Sequence, residues 1–530
     1  MVEFFKNNRA YIAIILIYSY LLIQGLSNNY FWDDEANTAL FANNIIKTGL
    51  PYAWDQRNII AFRNGEELNN NLVNGYMPPL QYYIGALSFS IFGVSTFSGR
   101  FIFVLFGLAS LIIFLLILKQ GFNKKISLFA MVILSFSVSF LLFTRQARYY
   151  SLTIFFSLLA YYFYKRYVKT GAKKNLIYLV IALIFLFYSN FIMCLAFIAS
   201  LIIIHFVFYF NKEKIKELFI PSIVFLLAAL PYIFYAKPYS KNVVSSSPYL
   251  IDKLVLLLRN FRELNTYQWF PWMLFILLVF FLVYRKSLLE ISKEIFLLII
   301  SYIFIITISS PQPVSITQFA DVRYLLLLLP FISMLIALAL FFLWGKSKII
   351  SIAALALLLS TNILTINPLK PELRFDLVNY LYEIHNDRTT SYEAVDLYLK
   401  QNAKQDDSIL IFPEYMRVPI IFYTGSYIKV CCQLNKKTKL PIKEIELLDK
   451  DIFIENAVPD WIIAFGPYGT ELSSFMINQY SKNGIEYNKD MINVYWADET
   501  YPEILFHRYK EKVDFNPEKE GIFIFKRVKI

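Results

Sequence analysis

Three consecutive acids, Asp33-Asp34-Glu35, follow Phe31-Trp32 just beyond the first long apolar run of the chain. An ionised carboxylate held at the edge of a low-dielectric region can take the proton of an attacking hydroxyl or amine. Adjacent carboxylates can equally bind a hard divalent cation through oxygen. The plainer alternative is that acids at this position are solvated, with Asp33 or Asp34 acting as the N-cap of the next helix. Successive side chains do not face the same way on a helix. One acid is therefore expected to face a site while another caps.

Arginines supply the complementary chemistry. Arg145 and Arg148 stand three apart at the end of one apolar run, and Arg323-Tyr324 opens another. A guanidinium grips a phosphate through two parallel hydrogen bonds, although a single arginine at such a depth can also snorkel to lipid headgroups. Acids and arginines gathered at one membrane face suit a phosphate leaving group and a nucleophile that must lose a proton. The loop Asn74-Gly75-Tyr76-Met77-Pro78-Pro79-Leu80-Gln81-Tyr82-Tyr83 reads as a stiff turn whose prolines start a helix. It holds no catalytic group at a distinctive spacing.

The elements that must position these residues belong to a membrane protein. The chain has 530 residues, 57% hydrophobic, 18% aromatic and only 17% charged, where soluble domains carry about 25% charge. Apolar runs long enough to cross a core of about 30 Å recur, and the alternation of a transmembrane β-barrel is absent. The run Tyr11–Leu26 lacks a convincing small-x-small cleavage site and reads as a retained anchor. The net charge of +12 sits in alternate short loops, the positive-inside pattern, so no nucleic acid partner is expected. Cys194 lies in an apolar run, and Cys431 and Cys432 are neighbours, which rarely bridge each other. His205, His385 and His507 are scattered. Neither a disulfide framework nor a zinc spacing is expected.

Taken in order, Lys6 and Arg9 place the N-terminus in the cytoplasm, and residues 28–100 form a long first external loop. Two helices are expected within it. One covers 34–48, with apolar positions Ala36, Leu40, Phe41, Ile45 and Ile46, and stops at Gly49-Leu50-Pro51. The other runs from Pro78-Pro79 to Gly93, too short to span, and lies at the interface. Further spans are read at 101–118, 126–143, 149–164, 176–189, 191–210, 218–235, 269–284, 295–309, 324–344 and 349–366, with a hinge at Ser189-Asn190. Lysines and arginines mark every second connection. From Pro368 the apolar runs shrink to strand length at Ser408–Phe412, Trp461–Phe465 and Gly521–Lys526, alternating with helical segments such as Tyr392–Gln401. That pattern is α/β.

The order of these pieces resembles a known family. One span is followed by Asp33-Asp34-Glu35, then Thr48-Gly49-Leu50-Pro51-Tyr52, Met77-Pro78-Pro79-Leu80-Gln81-Tyr82-Tyr83, and Phe92-Gly93-Val94-Ser95 to Gly99-Arg100-Phe101. Then come Arg145-Gln146-Ala147-Arg148-Tyr149-Tyr150-Ser151-Leu152 and Arg323-Tyr324-Leu325 to Leu329-Pro330. Over roughly residues 1–340 this is similar to the GT-C superfamily of membrane glycosyltransferases, in the branch of protein O-mannosyltransferases and the lipid A aminoarabinose transferase. The resemblance implies a transferase that uses a polyprenyl-phosphate-linked sugar. It maps the family's catalytic acid onto Asp34, with Glu35 beside it and Asp33 one register away. It places Arg148, Arg323 and Tyr324 near the lipid phosphate, with Arg145 a further candidate. Gln146 stands where many relatives carry an acid.

The expected architecture is thus an α-helical polytopic membrane domain of GT-C type over residues 1–366, with about eleven spans, and a C-terminal α/β extracytoplasmic domain over 367–530. The expected activity is inverting transfer from a polyprenyl-phosphate sugar donor to an extracytoplasmic acceptor at the cytoplasmic membrane. No cofactor is required, and the acidic run Asp33, Asp34, Glu35 would permit a divalent cation. A transporter of lipid-linked sugars would carry ionisable residues near mid-span, whereas these spans are nearly free of acids. A membrane sensor is the third class.

Overall fold

The structure is a computed structural model that describes residues 2–61, 68–69, 71–75, 77–236, 250–268, 286–309, 322–363, 373–387, 389–431, 458–496 and 516–528. The expected eighth span, Cys432, His507 and most of the loop before Arg323 lie outside the described residues. The chain divides into two compact units. One comprises Met1–Gln24, Phe103–Phe234 and Asn242–His385; the other comprises Gly25–Ile102, Tyr235–Lys241 and Asn386–Ile530.

The first unit is helical. Among the described residues of the chain, five helices are long and apolar enough to cross a membrane: Thr96–Gly121, Phe191–Phe208, Lys216–Phe234, Ile291–Ser309 and Arg323–Lys346. The chain is a multi-pass helical membrane protein. Of the Arg323–Lys346 span 89% is buried, against 11% of Lys216–Phe234. The first is therefore the packed centre, while the second turns Phe219, Ile220, Leu226 and Leu227 outward, as a lipid-facing helix must. The Tyr150–Thr170 and Lys173–Ser189 helices form a hairpin. The expected hinge is found, since Asn190 caps the next helix by accepting from the Met193 N–H at 3.1 Å.

Two sequence expectations need correction here. The run read as one span at 126–143 is broken into helices Lys124–Ser135 and Val138–Thr144, bent by 60°. The break falls between two serines; Ser135 Oγ donates to the Met131 carbonyl at 2.6 Å, and serine pairs that bond back to the backbone are a recognised cause of kinks. Second, the span read at 295–309 begins earlier, at Ile291, and so includes Glu294, which is buried. It is neutralised there. Its carboxylate accepts from Lys165 Nζ at 2.6 Å, Tyr209 Oη at 2.6 Å and Tyr161 Oη at 3.0 Å.

The second unit joins the acid-bearing segment to a sheet. Strands β1 (Ser408–Phe412), β2 (Lys429–Val430), β3 (Trp461–Phe465), β4 (Tyr487–Ile492) and β5 (Ile522–Arg527) lie in the order β2-β1-β3-β5-β4. β1 runs parallel to β2 and β3, and β5 is antiparallel to β3 and β4. Helix Gly466–Lys482 covers Leu410, Ile462, Ala464, Phe523 and Phe525 through Met476, Ile477 and Tyr480. Helix Ser391–Asn402 covers the other face, with Tyr398 edge-on to Trp461 at 6.4 Å and Tyr392 beside Phe465. Helices on both faces explain why β1 and β3 read as continuous apolar runs rather than alternating ones. Cys431, expected unbridged, is disulfide-bonded; Cys194 is a buried free thiol. Adjacency in sequence was a weak guide to bonding.

In the same unit, helix Asp33–Thr48 packs on helix Leu80–Phe92 and on helix Arg417–Thr424. Its end is set by Gly49 at φ 78°, whose N–H bonds to the Ile45 carbonyl; the left-handed turn favours glycine. Loop residues tie in too. Asn58 Oδ1 accepts from the Val430 N–H at 2.7 Å, Arg57 pairs with Asp406, and Arg417 donates to the Ala61 carbonyl. A second glycine is fixed by contact rather than by backbone angle. A Cβ on Gly99 would lie 2.4 Å from Phe31 Cζ, and Phe31 is fully buried. Gly99→Ala should therefore destabilise the purified protein by about 1–3 kcal/mol through overpacking. At an open helical site the same change would stabilise by about 1 kcal/mol. A thermal midpoint in detergent that stays level or rises would contradict the packing.

Candidate functional site

The acids sit at the start of a helix. Asp33, Asp34 and Glu35 occupy the first turn of Asp33–Thr48, and the N-cap is Trp32, whose side chain makes no capping hydrogen bond. Neither Asp33 nor Asp34 is the cap, which corrects the capping alternative read from the sequence. Negative charge in the first turn is favoured by the helix dipole, and that suffices to place all three acids there. About 100° of helical rotation per residue separates them. Asp33 and Asp34 are half-buried, and Glu35 is fully buried. The turn is closed by Thr38 Oγ1, which donates to the Asp34 carbonyl at 3.1 Å.

Glu35 faces inward onto Arg100. Nε donates to Oε1 at 2.8 Å and Nη2 to Oε2 at 2.6 Å. The rest of the guanidinium holds the preceding turn: Nη1 donates to the carbonyls of Leu26 and Asn29, both at 2.9 Å, and Nη2 to that of Tyr30 at 3.2 Å. An arginine has five N–H donors, and these five bonds use them all. The guanidinium also lies 5.2 Å from the centre of the Phe31 ring. The Glu35 carboxylate is thus committed to a two-pronged ion pair. Among the described residues no three His, Cys, Asp or Glu side chains converge as metal ligands, and the acidic run is no exception. Arg100 was not given a role from sequence. An arginine at the mouth of an apolar run reads as a snorkelling residue; the signal available was its place in the Gly99-Arg100-Phe101 motif.

The arginine candidates lie in the helical unit. Arg145 is bound into the packing: Nη1 donates to Tyr380 Oη at 2.8 Å and Nη2 to the Gln24 carbonyl at 2.9 Å. Tyr380 in turn donates to the Leu21 carbonyl at 2.7 Å. Arg145 therefore ties the end of the first helix to helix Asp376–His385. Arg148 is buried in the turn before helix Tyr150–Thr170. Its guanidinium lies 5.6 Å from the Tyr149 ring, and that of Arg323 lies 5.9 Å from the Tyr324 ring. Each arginine is thus steadied by the tyrosine that follows it.

Tyr302, on helix Lys286–Ser309, links the two pairs. Fully buried, it donates to the Tyr324 carbonyl at 2.7 Å. It also lies within electrostatic reach of the Tyr149 and Tyr324 phenols. The short helical segment Val322–Leu328 packs on helix Tyr150–Thr170. Two Arg-Tyr pairs in one helical unit can offer guanidinium groups to an anionic oxygen. Tyr302 could not have been singled out from sequence, where it is one of 38 tyrosines.

A search of curated proteins returned no match. Among solved structures, the chain is similar to ArnT from Cupriavidus metallidurans bound to undecaprenyl phosphate, at 14% identity and a TM-score of 0.46 over 80% of this chain and 75% of that one. It is also similar to the Archaeoglobus fulgidus oligosaccharyltransferase in complex with Zn and sulfate, at 12% identity and a TM-score of 0.46 over 85% and 67%. A third similarity is to the oligosaccharyltransferase AglB of the same organism with an inhibitory peptide and a dolichol-phosphate, at 11% and 0.41 over 87% and 69%. With TM-scores below 0.5 these likenesses carry no weight by themselves. Residues 77–238 match the family described as dolichyl-phosphate-mannose-protein mannosyltransferase. Through that stretch the chain is similar to that mannosyltransferase family.

Proposed function

We propose that the protein transfers a sugar from a polyprenyl-phosphate donor to an acceptor outside the cytoplasmic membrane, with inversion at the anomeric carbon. The observation that carries this reading is the family match over residues 77–238, a stretch that includes Arg100, Arg145 and Arg148. In this account residues 1–366 form the membrane domain, with about eleven spans and a cytoplasmic N-terminus, and 367–530 form the extracytoplasmic domain.

The reaction is one displacement. The acceptor's oxygen or nitrogen attacks the anomeric carbon and its proton passes to Asp34. The bond from that carbon to the phosphate oxygen breaks, and the electron pair leaves with the polyprenyl phosphate. Of the three acids, Glu35 is neutralised by Arg100 and cannot act as a base while that pair holds. Asp34, in the first turn and half-buried, is the residue assigned the base role, with Asp33 beside it. Arg148 and Arg323, with Tyr324, are assigned to the phosphate, where they meet the charge that develops on the leaving group. Arg145 is assigned to packing rather than to the donor.

The transporter reading is weakened by the placement of Glu294. This buried acid sits close to one end of its span and is already paired with Lys165, whereas a transport site belongs near the midplane.

The assignments separate experimentally. Asp34→Asn should abolish transfer of labelled sugar, by about a hundredfold or more, in a protein whose thermal midpoint is unchanged; full activity would remove Asp34 from the site. Adding a chelator to the same assay tests for a divalent cation. Glu35→Gln should instead lower stability by about 3–5 kcal/mol by leaving a buried arginine without its counter-charge. A Glu35→Gln protein as stable as the wild type would contradict the ion pair. Arg148→Lys and Arg323→Lys keep charge but lose the planar fork, and should each lower turnover on lipid-linked donor by about tenfold or more. Unaltered kinetics in both would move the phosphate site elsewhere.

A further inference from the structure

The segment Tyr30–Trp32 that leads into the acidic run is gripped by side chains from the far end of the chain. The Phe31 N–H donates to Tyr423 Oη at 2.7 Å. Because that oxygen accepts from Phe31, its own proton is available to Thr96 Oγ1, 2.8 Å away. The Tyr423 ring stacks on Tyr30 with centroids 3.7 Å apart, and Phe422 meets Phe31 edge-on at 5.2 Å. One residue earlier in the chain, Tyr30 Oη donates to Asp396 Oδ2 at 2.9 Å. Asp396 is fully buried and is also bonded by Lys400 Nζ at 2.8 Å. Tyr30, Phe31, Thr96, Asp396 and Tyr423 all belong to one compact unit.

These contacts fix what the Arg100 pair leaves open. Arg100 holds the carbonyls of Leu26, Asn29 and Tyr30, but the Phe31 N–H points to Tyr423. Burial pushes the phenols of Tyr423 and Tyr30 up, so both stay neutral hydrogen-bonding groups at any physiological pH. The helix that carries the acids starts two residues after Phe31. Its direction therefore depends on the Tyr30–Trp32 segment, and that segment is held by Tyr423 and Asp396.

We propose that Tyr423 and Asp396, from the C-terminal α/β part, are positioning residues that hold the Tyr30–Trp32 segment and so set the aim of Asp34. The α/β part then has a part in the reaction itself: it completes the support of the acid. The proposal rests on the base role assigned to Asp34, and two readouts keep the two claims apart.

The full-length protein in lipid nanodiscs is compared with Tyr423→Phe and Asp396→Asn. Hydrogen–deuterium exchange is followed on peptides covering residues 28–36, with no substrate present. In the same preparations, turnover and KM are measured with a polyprenyl-phosphate-mannose probe. Tyr423→Phe removes only the oxygen that takes the Phe31 amide, so exchange over 28–36 should quicken about fivefold or more while peptides of the sheet stay as in the wild type. Turnover should fall by about tenfold to a hundredfold, with KM for donor within about twofold. Asp396→Asn, which keeps the side chain's shape, should give the same pattern more weakly. A merely structural role would spread faster exchange through the α/β part, and that result would overturn the proposal. So would unchanged exchange over 28–36, or faster exchange there with full turnover. Wild-type turnover in Asp34→Asn would sink the base assignment, while the exchange result would still stand as a statement about the segment.

Discussion

The structure around the acids depends on one buried ion pair. Taking Glu35 and Arg100 out of water costs several kcal/mol for each ion, and mutual attraction balances that only when the geometry is good and every remaining proton is bonded. Both conditions are met. The carboxylate receives two parallel bonds and the other N–H groups of the guanidinium go to three carbonyls of the preceding turn. One side chain thereby fixes the start of a helix and the path of the chain that enters it. The arrangement also needs Gly99, because Phe31 fills the space a side chain there would occupy. Three neighbouring acids of similar chemistry thus acquire different roles. One is neutralised in the interior, and two stay at the half-buried helix start.

Electrostatics are handled in the same manner elsewhere in the helical unit. Glu294, buried in a membrane-spanning helix, is matched by Lys165 and two tyrosine hydroxyls. Arg145 is matched by a tyrosine and a carbonyl. A charge partnered in this way supports the fold. Arg148 and Arg323 each have the face of the following tyrosine beside them. An aromatic neighbour steadies a guanidinium without neutralising it, which suits the phosphate role proposed for both.

Much of the architecture could be read before any coordinates. The 34–48 helix followed from its apolar period and the Gly49 stop, and the structure begins it at Asp33. Strands at Ser408–Phe412 and Trp461–Phe465 were found at their observed bounds, because short apolar runs buried on both faces announce themselves. The bend inside 126–143 was missed. Hydropathy averages over a serine pair, while the backbone responds to it. The partner of Glu35 was missed for another reason. It lies 65 residues away, and a single sequence does not say which distant cation a buried acid will choose. Tyr423 is further still, 392 residues from Phe31. Periodicity reports on local structure, so it finds the helix that presents Asp34 and is silent on what holds that helix.

The central claim is that the sugar arrives on a polyprenyl monophosphate and leaves by a single displacement. The most direct test is to follow one turnover of the reconstituted full-length protein on an anomerically pure polyprenyl-phosphate sugar, identifying both products. The account predicts polyprenyl monophosphate and a glycoside of inverted anomeric configuration. Retention of configuration, or transfer that requires a nucleotide sugar, would contradict it.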